Sequence, residues 1–158
     1  MNPIINGLQI GIVATILMDI AALFARHVLR LPTGDWTMIG RWFGYWFKGV
    51  LVHRPITASP PIAHELAIGW AGHYVTGILY GLGYVTVIEY ALDAEPTIGS
   101  AVMFGAVTLA APWLLVQPAM GAGVCASRTP HPWLTRATNA LMHVVFGASL
   151  YVGWRILE

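Results

Sequence analysis

Three ionisable side chains, Asp19, His73 and His143, sit inside stretches otherwise built from apolar residues. Hydrocarbon solvates carboxylates and imidazoles poorly, so such groups face partners, and they mark proton relays, ion sites or ligand sites. Counted along helices, Asp19 falls about 18 Å in from Leu31, His73 about 17 Å in from Ile62 and His143 about 16 Å in from Pro132. Each count ends near the centre of a hydrocarbon core about 30 Å thick. Thr108 joins this layer, about 15 Å from its own helix end. Pro112 cannot donate to the carbonyl four residues earlier, which leaves the Thr108 C=O as an acceptor. Asn139 and Arg136 precede His143 by four and seven residues, on one helical stripe. Arg26 follows Asp19 by seven, and Glu65 lies about 80° around the helix from His73. With His53, His64 and Gln117 at the cytoplasmic mouth, the expected picture is a polar funnel ending at Asp19, His73 and His143. His27 and His131 belong to loops and are expected in solvent.

Several chemistries fit these residue types. Two imidazoles and a carboxylate suit a zinc or iron ion, so Asp19, His73 and His143 are candidate metal ligands. They come from separate helices and lack a local ligand spacing such as HExxH. Haem b between His73 and His143 is a second option, in a slot opened by Gly69, Gly72 and Gly77. Asp and His also exchange protons within a membrane. The purely structural alternative is helix–helix hydrogen bonding, at about 0.6 kcal/mol per contact. The expected function is proton-linked binding or transport of a small solute or ion. A membrane-embedded metal or haem enzyme using the same residues is the runner-up. A non-catalytic membrane subunit is the third reading. No phosphate loop, hydrolase elbow or kinase motif is present, and nothing points to nucleic acid.

The elements that must position these residues are helices in a bilayer. Hydrophobic residues make up 57% of the 158-residue chain and charged residues 9%. Soluble domains carry about a quarter charged residues, so the expected class is an all-α polytopic membrane protein with one domain, 1–158. Transmembrane helices are expected at 4–31, 62–92, 97–118 and 133–157. A fifth, amphipathic helix at 35–51, capped by Asp35 and mixing Trp, Tyr and Phe with Arg41 and Lys48, is expected flat at the headgroups. A packed or re-entrant connector is its alternative. No secretory signal is evident. Cys125 is the only cysteine, which excludes an internal disulfide. It lies near Arg128, a setting that lowers a thiol pKa, but a lone loop cysteine is usually incidental.

Arg26, Arg30, Arg41, Lys48 and Arg54 fall in the first connection and Arg128 and Arg136 in the third, with Arg155 alone at the other end. Basic residues stay in the cytoplasm. The expectation is therefore a bacterial inner-membrane location with both termini outside the cytoplasm. Gly7-xxx-Gly11 and Gly77-xxx-Gly81 permit close helix contact, either within the bundle or in a homodimer.

Five segments also resemble a known family. GRW (Gly40–Trp42) with the following Phe43 to Phe47, HELAIGWAGHY (His64–Tyr74), QPAMGAG (Gln117–Gly123), SRTPHP (Ser127–Pro132) and HVVFGASLY (His143–Tyr151) are similar to a bacterial family of small four-helix integral membrane proteins, known only as a domain of unknown function. The resemblance spans almost the whole chain. It implies a four-helix inner-membrane protein and supplies no substrate, cofactor or catalytic residue.

Overall fold

The computed structural model describes residues 3–158, and these form helices and turns with no strand. Helix α1 runs Pro3–His27 and α2 runs Trp36–Trp46. Helix α3 runs Glu65–Val85 and continues through a wider π-helical turn, Thr86–Ala91. Helix α4 runs Ile98–Thr108, passes through a π-helical turn at Pro112–Val116 and ends with Gln117–Ala119. Helix α5 runs Pro132–Leu157. Local chemistry sets these boundaries. The Asp35 side chain accepts from Thr37 N and Met38 N to start α2, and a reciprocal Thr97–Ser100 capping box starts α4. Pro112 heads the π-helical turn, which carries the helix past a residue with no N–H.

Among the described residues three helices are long and apolar enough to cross a membrane: α1, α4 taken as Ile98–Ala119, and α5. The expected fourth, α3, is not among them. It has the length, but glycines, tyrosines, Trp70, His73 and Thr76 dilute its aliphatic residues. Those small and polar residues face protein. A Cβ on Gly81 would fall on Gly7 and Gly11, and one on Gly77 would fall on the Thr15 hydroxyl. Both GxxxG pairs are thus used between α1 and α3, and they no longer argue for a dimer. Gly105 and Gly147 serve the α4–α5 contact in the same way.

Helix α1 lies between α3 and α5, and α4 packs on α5. Toward the chain termini the helices share an apolar core of Ile10, Ala14, Tyr84, Val85, Ile88, Ala101, Phe146 and Leu150. Isolated large side chains such as Leu23, Phe24, Leu79, Met103 and Val107 point outward, as a lipid-facing surface requires. At the opposite end the two long connections are joined: His53 N donates to Ala119 O (2.7 Å) and Ile56 N to Met120 O (2.9 Å).

Helix α2 is seated against α3 and does not stand apart from the bundle. Its backbone meets α3 at Gly40 and Gly69, where any Cβ would collide with the facing chain. Its first residue, Trp36, stacks on His73, while Gly44 faces Ile62. The pairing therefore runs antiparallel along α3, the packed-connector alternative. The aromatic face that suggested headgroups is partly internal: Trp42 is buried and donates through Nε1 to Leu51 O (2.8 Å). The helix also stops at Trp46 rather than residue 51, leaving Phe47 almost fully exposed.

Candidate functional site

The polar layer resolves into two separate pairs. At the junction of α1, α2 and α3, His73 Nε2 lies 2.8 Å from Asp19 Oδ1. Tyr74 OH donates to the other carboxylate oxygen, Oδ2, at 3.2 Å. Trp36 covers the imidazole face, ring centroids 4.0 Å apart. The two side chains are 8% and 14% exposed, so protein replaces most of their hydration. Helix ends explain why they meet. Helix α1 ends at His27 and α3 begins at Glu65, so Asp19 and His73 each lie eight residues in, about 12 Å rather than 17 or 18 Å.

His143 is not part of that group. It lies eleven residues from Pro132, where α5 does begin, about 4 Å deeper than the other two by the same count. Its Nδ1 is 2.9 Å from Thr108 Oγ1, and Thr108 Oγ1 is 2.6 Å from Gly105 O. A hydroxyl has one hydrogen. With that hydrogen given to the Gly105 carbonyl, Nδ1–H must donate to Oγ1, which leaves Nε2 as the bare nitrogen. Thr108 does belong to the polar layer, but through its hydroxyl rather than its carbonyl.

Among the described residues no three His, Cys, Asp or Glu side chains come close enough to hold a metal ion, so Asp19, His73 and His143 do not form the expected ligand set. The expected haem slot is also filled. The Trp36 carbonyl abuts Gly69, the Phe43 ring abuts Gly72 and Thr15 abuts Gly77. The two imidazoles belong to different helix pairs.

The expected mouth residues are mostly engaged elsewhere. Glu65 forms a two-pronged ion pair with Arg41, Nε to Oε2 at 2.8 Å and Nη2 to Oε1 at 2.9 Å, and also accepts from Ile62 N. Arg41 Nη1 donates to Ser59 O (3.0 Å), which ties the first connection to the heads of α2 and α3. These bonds to Arg41 hold the Glu65 carboxyl below its ordinary pKa, and the bonds to Glu65 raise that of Arg41. His53 is buried, with Nδ1 2.7 Å from Ser59 Oγ. Gln117 Nε2 donates to Asn139 Oδ1 (2.8 Å). Arg136 Nε donates to Cys125 O (2.7 Å), and its guanidinium lies over Trp133. His64 is exposed in the left-handed region, φ 59°, and Arg26 is exposed.

Sequence reasoning missed three contributors: Trp36, Tyr74 and the Arg41–Glu65 pair. Tyr74 had a signal, since it adjoins His73 on the same helix. Trp36 had none, because only the antiparallel seat of α2 brings it to the imidazole.

The described residues define an all-helical fold with three helices long and apolar enough to cross a membrane and an Asp–His pair between two packed helices. A family model matches residues 8–157, and the chain belongs to that family, described as Protein of unknown function (DUF2938). No curated protein and no solved structure matches the chain.

Proposed function

We propose that this is a multi-pass inner-membrane protein that takes up a small solute together with protons carried by the Asp19–His73 pair, with α2 as the movable wall of the site. The 2.8 Å contact of His73 with Asp19, inside otherwise uncharged stretches, carries this reading. Sharing one proton, the pair is neutral overall, the form that a low-dielectric site favours. Gain or loss of a proton leaves an uncompensated charge, which is costly inside protein. Letting a solute or water reach the pair relieves that cost, and undocking α2 removes its cover. Trp36 senses the event directly because it stacks on the His73 ring.

Four crossings follow within this reading. Helix α3 runs antiparallel to α1 from the Gly7–Leu82 contact to the Asp19–His73 contact. A bilayer around α1 therefore encloses the same length of α3, whose polar residues face α1 and α2 instead of lipid. All the basic residues but Arg155 lie at the end of the joined connections, which supports a cytoplasmic place for that end and an outer place for both termini. The apolar core around Tyr84 and Leu150 closes the outer half, and α2 covers the pair from the other side, so within this reading the site is occluded until α2 undocks.

Trp36 fluorescence against pH in the reconstituted full chain tests the reading. A proton-linked change in Trp36 emission is expected, absent in both His73→Gln and Asp19→Asn, with Trp36→Phe identifying the emitting residue. An unchanged transition in folded His73→Gln protein defeats the proposal.

A further inference from the structure

The joined connections enclose a cleft of about 280 Å³, lined by Arg54, Arg128, Gly121, Gly123, Val52 and Val124 among others. No acidic side chain lines it. Neither guanidinium has an ion pair or a side-chain hydrogen bond among the described residues. Tight backbone turns form the cleft wall beside them. Gly121 and Gly123 adopt φ values of 87° and 77°, and Cys125 and Ala126 also lie in the left-handed region. Non-glycine residues there are strained and persist where the surrounding structure holds them. A Cβ on Gly121 would sit 2.9 Å from His53 O and 3.3 Å from the Arg54 Cα, and one on Gly123 would meet the Arg128 side chain at 3.0 Å. Side chains at these positions would crowd the walls of the cleft on which Arg54 and Arg128 lie.

We propose that this cleft binds a phosphoryl group, that of an anionic phospholipid headgroup. Two arginines without ion pairs line one cleft, and guanidiniums suit phosphate oxygens in charge and in fork geometry. The rim favours a lipid over a free anion. Val52 and Val124 are more than half exposed beside the arginines, with Leu51 and Phe47 exposed nearby. Such apolar groups have acyl chains as partners when this end lies at a membrane surface. Basic pockets on the cytoplasmic side of helix bundles hold headgroups in this way. The inference rests on the membrane placement above and not on the Asp19–His73 chemistry.

Native mass spectrometry of the full chain in detergent tests it, with phosphatidylglycerol, phosphatidylcholine or inorganic phosphate added. Wild type is expected to retain phosphatidylglycerol over phosphatidylcholine. Arg54→Gln/Arg128→Gln should lose about tenfold in that retention, the scale of one or two charged hydrogen bonds. Arg155→Gln, at the other end, should lose none. Each single variant changes an exposed side chain and is expected to lose part of the preference, so the test survives a double variant that fails to fold. Equal retention of both lipids, or no loss in the folded variants, overturns the proposal. Inorganic phosphate that displaces phosphatidylglycerol completely at equal concentration overturns the lipid assignment and leaves a free-phosphate site.

Discussion

His73 and His143 are both enclosed between helices, and they are held by opposite kinds of partner. His73 meets a carboxylate that also accepts from Tyr74, and an indole covers it. His143 meets a hydroxyl already committed to a backbone carbonyl. The first arrangement joins two ionisable groups in one short contact. The second has Nδ1–H donating to a hydroxyl and ties α4 to α5. The same contrast extends outward from each imidazole. The α1–α2–α3 side carries the bidentate Arg41–Glu65 pair, and the α4–α5 side continues with the hydrogen bond from the Gln117 amide to Asn139 Oδ1. One side of the bundle is charged and built around a short docked helix. The other is neutral and held by two long helices.

The largest effect should come from Glu65→Ala, on the charged side. It leaves the Arg41 guanidinium, 7% exposed, without its carboxylate. Removing one partner of a buried ion pair costs about 3–5 kcal/mol. Arg41→Met with Glu65→Leu should cost less than Glu65→Ala alone, because no charge is stranded. Thermal unfolding in detergent measures both. Acid should act as the single change does. The Glu65 pKa is depressed in the folded state, so its stabilisation is complete above the unfolded-state value and is lost as pH falls through the folded one. The docking of α2 should therefore fail only below the ordinary glutamate range. Gln117→Ala should show no such acid dependence, and an equal acid dependence there would erase the contrast between the two sides.

Much of the charged side was legible. Uncharged stretches with one Asp and one His fix the helices, and counting in from their ends puts Asp19 and His73 at one level, though three or four residues too deep. The partner choice was not legible. Glu65 and Arg41 are 24 residues apart, and nothing in a helix beginning Trp-Thr-Met says that its glycines will lie on Gly69. Composition misled for α2, because Arg and Trp suit a headgroup region and an internal ion pair equally well. For α3 composition misled in the other direction. Residues that lower its hydropathy are those that pack on α1 and α2, so its membrane character is visible only once its neighbours are in place. His143 was counted correctly from Pro132. It failed to join the others because matching depth says nothing about facing.

Asp19→Leu comes second in size. It leaves the His73 Nε2 and the Tyr74 hydroxyl without their acceptor, at about 1–3 kcal/mol for a buried polar group left unsatisfied. Asp19→Asn should recover most of that loss, since an amide oxygen still accepts, yet should not restore proton exchange. A stability gap between these two variants alongside a shared loss of proton response separates packing from chemistry at this pair. Equal stability would mean that the carboxylate contributes only space.

The smallest effect, and the sharpest test of the contrast, belongs to Thr108→Val. Valine keeps the branched shape and removes one oxygen, so the change deletes two hydrogen bonds and almost no volume. The Gly105 carbonyl keeps its place in the helix, and His143 loses only the acceptor for Nδ1–H. Interhelical hydrogen bonds in membranes average about 0.6 kcal/mol, with a ceiling near 1.7 kcal/mol, and the expected loss lies in that range. If His143 is a structural tie, Thr108→Val lowers the melting temperature slightly and leaves the pH response of Trp36 untouched. A shifted Trp36 response would instead couple the two imidazoles through α1, which packs against both α3 and α5. The molecule would then have one distributed polar site, and the division into a charged side and a neutral side would be wrong.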